Sequence, residues 1–342
     1  MPQINFKPKQ VVKKLLAVLP ERNFDVIVNR FGLGESSEAK TLDAIGKKYG
    51  ITRERVRQIE NFSLQSIKKS EVFEKEKEAF ENLFSAVQAL GAVVSEEELL
   101  AHFSDDRATQ NHINFFLVLG DAFVRAKEDG HFKHRWTVDS EVSEKVHSSL
   151  KKLYEGLSDE EIVPEGELVT RFLGHLKDVS EKYRDEEILK RWLKLSKLID
   201  RNPFGEWGRA SSSNIRARGM RDYAYLVLRR HGSPMHFSEV AKAITTSFKK
   251  KAHVATCHNE LIKDKRFVLV GRGLYALSEW GYNKGVVRDV IKELLKKEGP
   301  MSREDILRRV MKERYVKENT VLVNLQNTNN FKKNKSGLYV AV

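Results

Sequence analysis

Between Thr41 and Ser70, in TLDAIGKKYGITRERVRQIENFSLQSIKKS, apolar residues recur at the spacing of two short helices joined by a tight turn. Thr41 suits an N-cap, and Leu42, Ile45 and Tyr49 face inward from the first helix. Gly50 can take the positive φ that the turn demands, Ile51 fills the angle, and Thr52 caps the second helix. On that helix Val56 and Ile59 make the buried stripe. Arg53 with Arg57, and Glu54 with Gln58, are i,i+4 pairs on the other side. Upstream, Pro8 to Leu19 predicts an amphipathic helix with Val11, Val12, Leu15, Leu16 and Leu19 apolar. Pro20 suits the start of a further helix whose core face is Phe24, Ile27, Val28 and Phe31, ended by Gly32.

The pattern further along repeats. Gly232-Ser-Pro-Met235 precedes the helical run FSEVAKAI, and Gly299-Pro-Met301 precedes SREDILRRVM. Leu261, Phe267, Gly273, Leu274 and Tyr275 recur as Leu325, Phe331, Gly337, Leu338 and Tyr339 at a constant offset of 64 residues. Each unit predicts helices followed by a two-stranded ribbon around a Gly turn, the layout of a winged helix-turn-helix. Phe80 to Asp139 and Glu141 to Ser211 predict fainter copies, with FVRAKEDGHFKHRWTV and RNPFGEWGRAS as their wings. Ser211 to Gly219, SSSNIRARG, is polar and ends in Gly, which predicts a linker. The lead-in PFGEWGRASSSNIRARGMRD also suggests a fixed junction. The fold class expected is mainly α: an N-terminal helix-turn-helix domain followed by tandem winged-helix modules with small β-wings. The boundaries expected are residues 1–72, 73–139, 140–215, 216–282 and 283–342.

The exposed face of the helix after Thr52 has the layout of a recognition helix. Arg53 and Arg57 can each fork onto guanine O6 and N7 or onto a phosphate. Gln58 can pair with adenine, and Glu54 can accept from cytosine N4. Thr52 and Asn61 flank these on the same helix. The alternative is the solvated face of a charged surface helix, which the Gly50 turn and the apolar spacing argue against.

Leu19 to Ser70 resembles region four of the primary-type bacterial sigma factors. LPERNFDVIVNRFGLGE is similar to the first helix pair, and TLDAIGKKYGITRERVRQIE to the helix-turn-helix that reads the minus-thirty-five promoter element. The resemblance implies that Arg53, Glu54, Arg57 and Gln58 contact bases and phosphates. It also implies a surface that docks on the flap of the RNA polymerase β subunit. It covers about the first fifth of the chain, and nothing before Leu19 resembles the aromatic-rich helix that melts the minus-ten element. Initiation by the chain alone is therefore not expected. Arg221 to Tyr282, with RDYAYLVLRRHGSPMHFSEVAKAI and the later GLYAL, resembles the HARE-type helix-turn-helix domain. That family includes the N-terminal module of the polymerase delta subunit and modules attached to chromatin and restriction proteins. This resemblance implies a DNA- or polymerase-facing role and carries over no individual contact.

Charge sharpens the picture. The 342 residues carry a net +13, distributed as +7 over residues 1–70, −10 over 71–200 and +16 over 201–342. Two basic ends suit an anionic partner such as double-stranded DNA, and an acidic middle suits a protein. In the basic tail Lys249, Lys250 and Lys251 precede a predicted helix. Arg266 and Arg272 flank one wing, and Lys332, Lys333 and Lys335 occupy the next. On a winged helix such residues would meet phosphates and add affinity with little sequence information; a merely solvated basic surface is the alternative.

Little points to catalysis. The chain has no Walker loop, no HExxH and no Cys-pair metal motif. His131 with His134 and His253 with His258 lack Asp or Cys company, so neither metal nor cofactor is expected. Glu96-Glu97-Glu98 and Glu160-Glu161 fall near predicted helix starts, where they complement helix dipoles. The single Cys257 excludes an internal disulfide framework and fits a reducing compartment. No apolar run reaches membrane-spanning length, and MPQINFKPKQ lacks a signal core, so a cytoplasmic, nucleoid-associated location is expected. The function expected is a transcription factor working at promoters with RNA polymerase. The alternatives are an accessory polymerase subunit and a modified-DNA-binding or restriction accessory protein.

Overall fold

The computed structural model describes residues 3–176, 181–282 and 285–342. The chain is mainly α, with seventeen α-helices among the described residues and sheets of two or three short strands. It forms two compact units, Met1–Asp200 with Trp207–Ala210, and Arg201–Glu206 with Ser211–Val342.

The first unit opens with α1 (Pro8–Leu16), α2 (Glu21–Phe31), α3 (Leu42–Tyr49) and α4 (Arg53–Lys68). Thr41 caps α3 by accepting from the Ala44 N–H at 3.2 Å, and Thr52 caps α4 by accepting from the Arg55 N–H at 3.2 Å. Gly50 sits between them at φ +66°, a left-handed conformation that side-chain-bearing residues disfavour. Val26, Ile45, Val56 and Ile59 close this corner as one small core, with Leu42, Tyr49 and Ile51 partly buried against it.

One expectation fails at α2. Phe24 is 40% exposed, and Val26 is fully buried in its place. The reason is that α2 lies between two cores. Val26 faces α3 and α4, while Ile27 and Phe31 join a second cluster that starts at Val11 and runs to Trp136. A helix buried on two sides has no single apolar stripe.

That second cluster includes α5 (Glu71–Lys75), α6 (Lys77–Ala89), β1 (Val93–Ser95), α7 (Glu96–Phe103), α8 (Arg107–Leu119), β2 (Val124–Ala126) and β3 (Arg135–Thr137) within its span. The apolar face of α1 packs on α8, whose Ile113, Phe115, Phe116, Leu117 and Leu119 are fully buried. Buried Asn111 of α8 donates to the carbonyls of Gly32 and Ser37 at 2.9 and 2.8 Å, which satisfies the end of α2. The unit continues with α9 (Ser140–Gly156), α10 (Glu165–His175), α11 (Glu186–Leu193) and the ribbon β4 (Ile199–Arg201) and β5 (Trp207–Arg209), around a third core centred on Trp192 and Phe172.

The second unit contains α12 (Met220–His231), β6 (Met235–His236), α13 (Phe237–Phe248), α14 (Val254–Lys263), β7 (Phe267–Gly271) and β8 (Leu274–Leu277). It ends with α15 (Val287–Glu298), α16 (Arg303–Glu313), α17 (Glu318–Leu325), β9 (Phe331–Lys333) and β10 (Tyr339–Ala341). Ser211 to Gly219 is packed against it: Ile215 is 2% exposed, and Ser212 and Asn214 are buried.

One arrangement recurs along the chain. The sheets β1-β3-β2 and β6-β8-β7 have the same strand order, with the last strand in the middle. The strand before each second helix pairs with an aromatic residue of the ribbon: Val94 with Trp136, Val163 with Trp207, Met235 with Tyr275 and Met301 with Tyr339. In the first two, the Trp indole donates to the Glu that begins the second helix, Trp136 to Glu96 at 2.9 Å and Trp207 to Glu165 at 3.1 Å.

Candidate nucleic-acid interface

Helix α4 turns two faces to different surroundings. Val56, Ile59, Ser63 and Ile67 are buried. Thr52, Arg53, Glu54, Arg57, Gln58 and Asn61 are exposed, so the head's six expected site residues are brought together at the N-terminal half of one helix. The helix is fixed from behind. Glu60 pairs with Arg30 of α2 at 3.2 Å, and Asp25 of α2 accepts from Lys48 at 2.6 Å and from the Tyr49 hydroxyl at the end of α3. Lys48 and Tyr49 outweigh the burial that would raise the Asp25 carboxyl and hold it below the usual carboxylate range.

The exposed groups pair with one another. The Arg57 guanidinium forks onto the Glu54 carboxylate, Nε to Oε2 at 2.9 Å and Nη2 to Oε1 at 2.7 Å. Hydrogen bonding to Arg57 lowers the Glu54 carboxyl below its ordinary value. Arg55 Nη1 donates to Gln58 Oε1 at 3.1 Å. Arg55 is not among the expected contacts because that expectation rests on i,i+4 partners. The signal is its i,i+3 spacing to Gln58, the same spacing that joins Glu54 to Arg57.

The basic residues of the tail do not gather on one element. Lys249 closes α13 in a left-handed conformation at φ +51°. Lys250 donates to the Tyr223 hydroxyl and lies over its ring at 4.8 Å, and Lys251 follows, exposed. Arg272 is exposed at the turn between β7 and β8. Lys332 and Lys333 stand exposed on β9, with Lys335 in the turn after it. Arg266 faces inward instead. Its guanidinium binds Asp264 at 2.7 Å and the buried Asp222 at 3.0 Å, which sets it between two carboxylates at the foot of α12. Cys257 is buried in α14, and burial pushes its thiol up to about 11. It packs as a small apolar residue.

Residues 15–69 match the family model of sigma-70, region 4. Residues 218–280 match the HARE-HTH model, a helix-turn-helix domain named for its occurrence in ASXL and restriction endonuclease proteins. Both regions are those whose helix-turn-helix geometry is described above. Among relatives, an RNA polymerase sigma factor RpoS of Coxiella burnetii is 49% identical over 57 residues, 17% of this chain and 16% of that protein. A sigma factor SigA of a Bacillus species is 40% identical over 60 residues, 18% of this chain and 16% of its own length. A sigma factor RpoD of Helicobacter pylori is 42% identical over 60 residues, 18% of this chain and 9% of that protein. The chain thus spans less than a fifth of these relatives. Among the described residues no helix is long and apolar enough to cross a membrane, and no cluster of His, Cys, Asp or Glu could hold a metal ion.

Proposed function

We propose that this chain is a DNA-binding transcription factor that works with RNA polymerase at promoters. The observation that carries the reading is the face of α4. Two side-chain caps and an αL glycine position Arg53, Glu54, Arg57, Gln58 and Asn61 toward solvent, in a segment that matches sigma-70, region 4. An exposed recognition helix with arginine, glutamine and carboxylate groups at its N-terminal end suits base edges in a major groove. Five modules follow from this reading: a head over residues 1–72 and four winged-helix-like units. The tail's Lys249, Lys250, Lys251, Arg272, Lys332, Lys333 and Lys335 would add phosphate contacts. A promoter footprint together with a pulldown of core polymerase tests the whole.

The polymerase contact has a structural constraint. The apolar face of α1 and α2 is already packed against α8 of the same chain. Docking of the β flap on that face would require α8 to leave it. A second reading, an accessory polymerase subunit whose head docks without reading DNA, is favoured by the closed Arg57–Glu54 pair. Loss or retention of base preference in Arg57 variants separates the two.

A further inference from the structure

Residues 286–342 form the last helix–helix–helix–ribbon unit, a stretch that neither family match includes. Its third helix, α17, has an unusual outer face. Val321 and Leu325 are 0% and 4% exposed and anchor the helix in the unit's own core. On the other side Asn319, Thr320 and Val323 are exposed, Val323 at 57%. The only acid of the helix is Glu318, at its first position, where the helix dipole accommodates it. Asn324 is committed to its own backbone, donating to the Thr320 carbonyl at 2.7 Å, so it is not a reading group. Exposed Lys317 precedes the helix, and exposed Lys332, Lys333 and Lys335 line the ribbon that follows. Residues 285–342 carry a net charge of +6.

We propose that this unit reads base sequence, and that it selects A·T base pairs through Asn319, Thr320 and Val323 while Lys332, Lys333 and Lys335 hold flanking phosphates. The inference rests on the reading of the chain as a DNA-binding protein and extends it to a second, sequence-selective site. A carboxamide offers the donor and acceptor that match adenine N6 and N7. The methyl groups of threonine and valine suit the thymine C5-methyl, an apolar feature that G·C pairs lack in the major groove. Guanine's two acceptors call for an arginine or lysine fork, which this face does not carry. The neighbouring unit shows that the face is not merely a property of the repeat. Buried Cys257 and Leu261 of α14 stand where Val321 and Leu325 stand, yet Ala255 and Asn259 occupy the places of Asn319 and Val323. The two units keep the core positions and differ at the outer ones.

The test is selection from random-sequence duplexes with the full-length chain at one fixed salt concentration. The wild type is compared with the double variant Asn319→Ala, Val323→Ala. Both positions are exposed, so the fold is expected to persist, and matching thermal unfolding of the two proteins checks this. The wild type should enrich an A·T block separate from the motif read by α4. The variant should lose that block's preference by roughly 5- to 100-fold, keep the α4 motif, and keep the dependence of affinity on salt. A wild-type pool with the α4 motif and no A·T block overturns this inference alone, as does a variant that keeps the block. A pool with no motif of either kind overturns the proposed function as well.

Discussion

Arg57 and Glu54 form a two-point pair on the exposed face of α4, with both contacts under 3 Å. The two groups that could read a guanine and a cytosine are therefore occupied by each other in the free protein. Both side chains are more than half exposed, so the pair is screened by solvent and is readily exchanged for a base edge. The exchange gives the head a built-in preference. A phosphate alone gains one arm of the pair and leaves Glu54 facing an anion, whereas a G·C step can take both. Replacing Glu54 with Gln should raise affinity for unrelated duplexes and narrow the gap between specific and non-specific binding, read by titration against two duplexes. An unchanged ratio would contradict the exchange.

Phe267 and Phe331 begin two ribbons of identical register. Phe267 pairs with Leu277 and Phe331 with Ala341, and Leu269 with Tyr275 matches Lys333 with Tyr339, each at the 64-residue offset. Gly273 and Gly337 take φ of +73° and +78° at the matching places. The two rings are 6% and 1% exposed. Truncating either to Ala should cost about 3–5 kcal/mol, measured by denaturant unfolding of the full chain. Protection from hydrogen exchange should fall mainly in the ribbon that was altered. A cost near zero at either site would remove the equivalence.

Asp25 joins α2 to the end of α3 through Lys48 and Tyr49. Its carboxyl is held below its ordinary value, so its contribution is present above the unfolded value of about 3.9 and is lost as pH falls through the lower folded value. With side chains of 37% and 47% exposure, the Asp25–Lys48 contact contributes less than about 1 kcal/mol. Asp25→Asn should lower stability at neutral pH by that order, and the difference from wild type should close in acid. A difference independent of pH would assign the effect to packing.

Neutralising Lys332, Lys333 and Lys335 together as Gln should weaken binding to all duplexes alike. It should also lower the slope of log affinity against log salt by roughly 0.9 for each phosphate that is no longer neutralised. Filter binding over a salt series reads both quantities. An unaltered slope would mean that this ribbon does not meet phosphate.

Much of the head was legible because its information is local. Thr41, Gly50 and Thr52 act through bonds within a few residues, and the Val56 and Ile59 spacing fixes the buried side of α4. The C-terminal repeat was legible for another reason: two copies in one chain act as a comparison. What periodicity could not show was how many cores a helix faces, and so Phe24 and Val26 exchanged roles. Composition misled at Ser211 to Gly219. The Ser212 carbonyl accepts from the N–H groups of Ile215 and Arg216 at 3.2 and 2.9 Å, and such local bonding lets a polar stretch fold tightly and bury Ile215. Arg266 looked like a wing residue until Asp222, far off in sequence, supplied its second partner. The pairings of Arg57 and Arg55 at i,i+3 depend on rotamers that spacing alone leaves open.

The central claim is that α4 reads bases, and a double-mutant cycle across the interface tests it most directly. The full-length chain and its Arg57→Ala variant are titrated with the selected duplex and with single base-pair substitutions of it, at one salt concentration. The account predicts a coupling of about 1–3 kcal/mol confined to one base pair, with additivity elsewhere. Additivity at every position would contradict it and leave α4 as a docking face.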